Sequence, residues 1–219
     1  MKKNIKFFNY DQYWDDSGEK IRNKLREREQ IFIDWIKPGS AVLDIACGNS
    51  LLPFELSSKK GCIVEAFDIS PKVIQEQQVK RINAQVRDLT DKNFKLEKKY
   101  DYIIASEILE HLAYPEVLLD KIKNNARFFL ISVPNSAFYR FRFKLFFFGR
   151  FFVQWAYHPA EHLRYWSHED FLDWLDSSGF RIIQSRASNG LDIGPLKFYE
   201  FWPNLFGHQI CYLVELKTT

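Results

Sequence analysis

The sequence predicts one α/β domain, in which helices cover both faces of a largely parallel sheet. Short β-branched runs alternate with helical patterns from residue 41 to residue 133, which is the order expected of βαβ units. A capped helix and two further strand-like runs follow. At 219 residues, 46% of them hydrophobic, the chain is long enough to fill a core. We therefore treat residues 1–219 as a single domain.

The ends of the elements follow from apolar spacing and from capping residues. Residues 20–35 predict an amphipathic helix, with Ile21, Leu25 and Phe32 on its apolar side, so that 1–36 forms a helical N-terminal segment. Ser70 before Pro71, and Ser167 three positions before Asp170, resemble helix N-caps. The expected strands are 41–45, 62–67, 84–86, 102–105, 127–133, 180–183 and 210–215, with helices from Leu51, Pro71, Pro115 and His168.

Composition and charge exclude several classes of function. A net charge of +3 is too small to predict nucleic-acid binding. Three cysteines without a CxxC spacing favour reduced thiols over a disulfide framework, and no metal-ligand cluster is evident, so no metal is expected. The chain has no apolar run of about 18 residues and no secretory pattern at its start, so a cytoplasmic protein is expected.

Acidic residues follow three successive predicted strands. Asp44 lies at the end of the first strand, before the small-residue loop 46–50, and Asp68 ends the second strand. Asp88 follows the third. In parallel sheets such positions meet at one edge, where an acid can accept hydrogen bonds from ribose and a loop amide can approach a ligand. Each acid has a plainer reading, as a turn or capping residue, and the series carries more weight than any member.

The loop, the acids and the later segments together resemble a known family. The run from Ala41 to Asp88 and the segment 100–111, YDYIIASEILEH, are similar to class I S-adenosylmethionine-dependent methyltransferases. Residues 133–135 (VPN) and 202–207 (WPNLFG) most resemble the methionine-biosynthesis MetW family. The chain departs from the family pattern at Ala46 and Ser50, where glycines are usual.

This resemblance implies a Rossmann-like sheet of seven strands, the last antiparallel, and S-adenosylmethionine as cofactor. It places Asp44 near the methionine part, Asp68 on the ribose and Asp88 on adenine. Tyr13 could fold over the cofactor through its aromatic face, or serve only as an N-terminal packing residue. The full set of expected cofactor-binding residues is Asp44, Ala46, Gly48, Asp68, Ile69, Asp88, Leu89, Ser106 and Tyr13.

Two histidines are candidates for contact with the methyl acceptor. His162 lies in a segment (161–167) similar to those that face the acceptor in small-molecule methyltransferases, which makes it a candidate base, an acceptor contact or a purely structural histidine. His111, beside Glu110, is expected near the sulfonium, in a positioning role. Methyl transfer needs a base only where the acceptor carries a proton.

An aromatic and basic insert occupies residues 134–166. Within 138–152, eight of the fifteen residues are phenylalanine and four are basic. This segment predicts a lid over an apolar or anionic acceptor, a peripheral membrane contact on the inner face, or a buried cap or dimer contact.

The sequence therefore favours a methyltransferase for a small-molecule or lipid-like acceptor. The alternative is an accessory protein that partners a homoserine acyltransferase, as the MetW resemblance implies.

Overall fold

The computed structural model describes residues 24–152 and 161–217, and a seven-stranded sheet lies at the centre of this part of the chain. Its strands are β1 (Ala41–Ile45), β2 (Ile63–Asp68), β3 (Asn83–Val86), β4 (Tyr100–Ser106), β5 (Ala126–Pro134), β6 (Phe180–Gly190) and β9 (Gly207–Leu216). They are arranged in the order β3-β2-β1-β4-β5-β9-β6. Neighbours from β3 to β5 are parallel, whereas β9 is antiparallel to both β5 and β6. The predicted seven strands with an antiparallel last strand are confirmed.

Helices cover both faces of this sheet, as predicted. They are α1 (Glu27–Trp35), α2 (Leu52–Lys60), α3 (Pro71–Val79), α4 (Pro115–Ile122), α5 (Tyr139–Phe148) and α6 (His168–Ser177), followed by the one-turn helices α7 (Phe198–Phe201) and α8 (Pro203–Phe206). Helices α1 and α2 contribute to the core on one face, and α4 and α6 to the core on the other. The three cysteines are free and buried, as expected of reduced thiols.

The strands are apolar on both sides because each face packs against helices. Along β4, Tyr102 and Ile104 belong to the core under α1 and α2, whereas Ile103 and Ala105 belong to the opposite core. Continuous apolar runs of this kind are typical of parallel strands buried on both faces. This explains why short apolar runs were sufficient to predict β1, β4 and β5.

Two boundaries differ from the sequence expectation, and one hairpin was not expected. Helix α1 begins at Glu27, after the non-helical residues 24–26, because the Glu29 carboxylate accepts a hydrogen bond from the Arg26 amide (2.7 Å) and so caps the helix there; residues 20–23 of the predicted helix lie outside the described part of the chain. Strand β6 continues to Gly190, seven residues beyond its predicted end, as an edge strand paired with β9. A hairpin of β7 (Asp192–Ile193) and β8 (Leu196–Lys197) was not predicted.

The two family-like segments meet around one buried side chain, Asn135. Its Nδ2 donates to the carbonyl oxygens of Pro203 (3.2 Å), Asn204 (3.1 Å) and Gly207 (2.8 Å). Its Oδ1 accepts from the Ala137 amide at 3.0 Å. The amide of Asn135 therefore joins the end of β5 to the turn before β9, which gives the VPN and WPNLFG segments a structural role.

The described residues of the insert contain one helix, α5, whose residues are not buried. Phe146 is 82% exposed, and Phe143, Phe147 and Phe148 are also exposed. The expectation of a buried cap is therefore wrong for this helix in the described part of the chain. Residues 153–160 of the insert lie outside that part. No helix among the described residues has the length and apolar character needed to cross a membrane.

Candidate functional site

A cavity of about 280 Å³ lies at the carboxyl ends of the central strands. The chain passes from β1 outward to β2 and β3 and then returns to β4 on the other side of β1. This reversal separates the loops that follow β1 and β4, and ligands of α/β sheets bind in the resulting crevice. Its walls include Asp44, Ala46, Gly48, Asp68, Ile69, Asp88, Leu89, Ser106, His111 and His162. The fold therefore brings together every candidate site residue that lies in the described part of the chain.

The loop after β1 is held in a tight conformation by side chains from neighbouring elements. The Gly48 amide donates to Asp68 Oδ2 at 2.9 Å, and Gln77 Nε2 donates to the carbonyls of Gly48 and Ser50, both at 2.9 Å. Ala46 has a φ of +54°, in the left-handed region that favours glycine. The loop keeps this conformation although an alanine occupies the position.

Asp68 holds the loops after β1 and β2 in place. Besides the Gly48 amide, its carboxylate accepts from the Ser70 amide at 2.9 Å. Asp68 therefore stabilises the start of α3, which agrees with its plainer reading as a capping residue. The same carboxylate also lines the cavity, where it can meet a ligand hydroxyl.

Helix α1 contributes two charged side chains that were not predicted to belong to the site. Arg28 is only 8% exposed and Glu29 only 2%. Arg28 donates to Ser106 Oγ (3.2 Å) and Gln209 Oε1 (3.3 Å), while Glu29 Oε1 accepts from Ser50 Oγ (2.6 Å). Charged residues are rarely buried without partners, and both side chains have them. The amphipathic pattern of this helix did not indicate that its polar side faces a cavity.

Three carboxylates give one end of the cavity a negative character. Burial raises the pKa of Asp44 well above its usual range, and the charges of Glu29 and Asp68 raise it further, with Arg28 acting in the opposite direction. A positively charged ligand group would relieve this repulsion. The site therefore suits a cationic ligand better than a phosphate.

The same cavity also contains the residues expected to meet adenine. Leu89 is buried, whereas Ile69 and Asp88 are exposed. Asp88 Oδ1 accepts from the Thr90 amide (2.8 Å) and hydroxyl (2.6 Å), so this acid also stabilises its own turn. An apolar pair beside a carboxylate fits a flat heteroaromatic ring with an exocyclic amino group.

His111 and His162 lie side by side, although 50 residues separate them in the sequence. Their ring centroids are 4.7 Å apart in an edge-to-face arrangement. The Glu110 carbonyl accepts from the amides of Leu163 (2.7 Å) and Arg164 (3.1 Å), which fixes the end of the insert against the 3₁₀ turn Leu109–His111. The structure thus places both candidate acceptor residues in the cavity.

Neither histidine is expected to carry charge at neutral pH. Burial, followed by the neighbouring His111, lowers the pKa of His162 to about 4. The pKa of His111 is also lowered, chiefly by burial. Each neutral imidazole can therefore accept a proton or a hydrogen bond through one ring nitrogen.

Besides Arg28 and Glu29, three further side chains in or beside this site were not predicted from sequence. Glu110, buried beside the histidines, was noted only as a neighbour of His111, and Glu107 follows β4 with a φ of +54°. Gln77 on α3 was missed entirely, since a polar residue within an amphipathic helix is ordinarily solvated. Tyr13 lies outside the described residues.

The fold is shared with solved methyltransferases of low sequence identity. A "SAM dependent methyltransferase" from Archaeoglobus fulgidus has a TM-score of 0.62 and 19% identity, with 93% of this chain and 99% of that chain covered. Coclaurine N-methyltransferase, solved with N-methylheliamine and SAH, has a TM-score of 0.59 and 13% identity, with 85% and 72% covered. The chain has the class I methyltransferase fold.

Sequence comparisons give both a partial relative and a family. N-methyltransferase 4 of Papaver somniferum is 32% identical over 97 residues, which is 41% of this chain and 27% of that protein. The chain thus spans about a quarter of the length of this relative. The family model described as "Methionine biosynthesis protein MetW" matches residues 26–214. With nearly the whole chain matched, this protein belongs to the MetW family.

Proposed function

We propose that this protein is an S-adenosylmethionine-dependent methyltransferase that acts on a small-molecule or lipid-like acceptor. One observation carries the proposal: a single cavity joins the acidic end formed by Glu29, Asp44 and Asp68 to the histidine pair His111 and His162. The first end suits a cationic donor and the second suits an acceptor. The fold shared with methyltransferases supports this reading.

Several residues fit the parts of the cofactor. Asp44, with Glu29 behind it, would face the positively charged methionine part, and the Gly48 backbone lies against the same region. Asp68 is placed to accept from ribose hydroxyls, since its carboxylate is already oriented by two amides. Asp88, Ile69 and Leu89 would enclose adenine. When bound, the cofactor supplies an electrophilic methyl group on a sulfonium.

The chain's own part in the transfer is positioning and desolvation. Attack on a sulfonium methyl is an in-line displacement, so its rate depends on holding the acceptor on the axis of the breaking bond. His162, neutral at pH 7, can take the acceptor's proton or hold the acceptor by a hydrogen bond. His111 lies against it and orients it.

The acceptor class is inferred from the surroundings of the histidines. The aromatic insert reaches the site through Phe152, whose ring is 5.7 Å from that of Tyr165, which in turn is 6.5 Å from His162. An apolar rim beside the transfer site favours an acceptor with an apolar body. We also propose that helix α5 makes a peripheral contact with an anionic membrane surface, because it carries exposed phenylalanines together with basic residues.

A second candidate function follows from the family. The family is described by methionine biosynthesis, and an accessory protein of that pathway could bind a homoserine acyltransferase without transferring methyl groups. The exposed phenylalanines of α5 offer an apolar surface for such a partner. Recovery of a stable complex with the acyltransferase, together with absence of cofactor binding, would favour this role.

The substitution Asp68→Asn tests the cofactor assignment. Asparagine keeps the shape and one acceptor oxygen for the loop amides, but it removes the charge that strengthens hydrogen bonds to ribose. Loss of two charge-assisted hydrogen bonds, at about 1.5–3 kcal/mol each, predicts a fall in cofactor affinity of more than about 100-fold. Asp120→Asn on the exposed side of α4 is the matched control. Unchanged binding in Asp68→Asn would remove this residue, and the expected binding mode, from the proposal.

A further inference from the structure

We propose that Glu110, His111 and His162 bind a divalent transition-metal ion at the acceptor end of the cavity. One potential ligand atom from each residue lies within 4.8 Å of the others. Ligands bonded to one ion at about 2.1 Å are at most about 4.2 Å apart, so a small side-chain adjustment brings all three to the ion. The set of two imidazoles and one carboxylate is a recurrent one for such metals.

The polar atoms of these residues lack protein partners. Both carboxylate oxygens of Glu110, Nδ1 of His111 and Nδ1 of His162 are buried and form no hydrogen bond with any other residue the structure describes. Glu110 is 1% exposed. Leaving one such atom unsatisfied costs about 1–3 kcal/mol, and the four atoms belong to three residues that are grouped together. A bound cation would satisfy the whole group.

The surroundings orient the histidines for this role. Their rings are held edge to face, with centroids 4.7 Å apart. The backbone bonds from Leu163 and Arg164 to the Glu110 carbonyl hold His162 against the same turn.

A second carboxylate makes the place favourable for positive charge. Glu107 lines the same cavity, and its Oε1 is also buried and unpartnered, while Oε2 accepts from Gln209 at 2.8 Å. Two carboxylates beside two imidazoles therefore form a site that a divalent cation would stabilise.

The donor atoms also indicate the class of metal. Imidazole nitrogen favours Zn²⁺, Fe²⁺ or Co²⁺, whereas Mg²⁺ prefers an oxygen-only octahedral shell. Three protein ligands leave at least one coordination position open toward the cavity. On the proposed function, this position would receive an oxygen of the acceptor, so that the ion, rather than the His162 ring, would hold the acceptor. The acceptor would then carry a hydroxyl or carboxylate group at its reactive end.

The test is a titration of chelator-treated full-length protein with Co²⁺, without cofactor, followed by visible absorption and calorimetry. We expect one Co²⁺ per chain, displaced by stoichiometric Zn²⁺ but not by millimolar Mg²⁺. Because loss of an outer-shell partner alone weakens metal binding about 10–100-fold, Glu110→Gln and His162→Gln should each weaken it more than about 100-fold. His168→Gln, a buried histidine bonded to Tyr212 and outside the cluster, should bind Co²⁺ like the wild type.

Two results would overturn the proposal. One is wild-type protein that binds no more Co²⁺ or Zn²⁺ than Glu110→Gln; the other is a Co²⁺ site that Mg²⁺ empties at equal concentration. Glu110→Gln removes a buried charge and His162 is only half-buried, so at least one variant should fold, which circular dichroism would verify. Since no cofactor is present, a failure of metal binding is distinguishable from a failure of methyl transfer.

Discussion

At the scale of single residues, Asp44 lowers the stability of the folded protein at the place where we propose that it contributes to cofactor binding. Its carboxyl is buried beside Glu29 and Asp68, and its pKa in the folded protein is raised well above that of the unfolded chain. A group with a raised folded pKa contributes most below its unfolded value, about 4, and its contribution falls as pH rises through the folded pKa. At neutral pH, Asp44 therefore lowers the free energy of unfolding.

The substitution Asp44→Asn should separate these two effects. We expect the variant to unfold at a higher urea concentration than the wild type at pH 7.5, and this advantage to shrink as pH falls toward 4. Its affinity for S-adenosylmethionine should decrease, because a carboxylate no longer faces the cationic part. Urea unfolding at several pH values and a binding titration measure both. A variant that is less stable than the wild type at pH 7.5, with unchanged affinity, would contradict this account of Asp44.

Site residues were predictable from sequence where their position in the fold leaves few alternative roles. Acids at successive strand ends, such as Asp44, Asp68 and Asp88, all line the cavity because parallel strands end at one edge. Arg28 and Glu29 were not predicted, because the spacing of apolar residues along a helix does not show whether its polar side faces water or a cavity. The proximity of His111 and His162 depends on a contact between distant segments, which no local spacing encodes.

At the scale of elements, the link between β5 and the turn before β9 depends on Asn135. Its side chain satisfies three carbonyl oxygens of one turn and the Ala137 amide. Asn135→Ala removes these four hydrogen bonds, although the carbonyls of Pro203 and Asn204 keep bonds from the Gly207 amide and from Arg142. At about 1–3 kcal/mol for a buried unsatisfied group, we expect a loss near 2 kcal/mol. For a domain of this size that is a decrease in Tm of about 4–8 °C. Thermal unfolding beside the exposed control Asn124→Ala measures it, and a shift equal to that of the control would refute the role.

Helix α5 gives a second prediction at this scale. Arg142 donates to the carbonyls of Ala137 (2.5 Å) and Asn204 (3.2 Å), so it anchors the helix and should not be altered. Phe146 and Lys144 are exposed, and Phe146→Ser with Lys144→Gln should reduce flotation with anionic vesicles, through lost burial of a ring and about 1 kcal/mol for the cation. Flotation that is the same for the wild type and the variant, or the same on neutral vesicles, would contradict a membrane contact.

Element boundaries were predictable where both faces are buried and less so at the edges. Strands β1 and β5 matched within one residue of each end because apolar runs mark them. Strand β6 extends beyond its predicted end through Gln184, Ser185 and Arg186, whose polar side chains are tolerated because this part of the edge strand is exposed. Its pairing with β9, rather than its composition, sets its length.

At the scale of the whole molecule, the order of strands determines where function can reside. The reversal between β1 and β4 opens one cavity, and the insert brings His162 to its rim. The order follows from alternating elements and a right-handed crossover preference, so the fold class could be predicted. The acceptor could not, since the proposed acceptor residues His111 and His162 meet only through contacts between segments distant in sequence.

The most direct test of the central claim is calorimetric titration of the folded wild-type protein with S-adenosylmethionine and with S-adenosylhomocysteine. We expect saturable one-to-one binding of both at roughly micromolar affinity, which is a favourable binding free energy of about 8 kcal/mol. The affinity should be lost in Asp68→Asn and kept in Asp120→Asn. Absence of binding of either compound to the folded protein would contradict a methyltransferase and leave the accessory role within the MetW family.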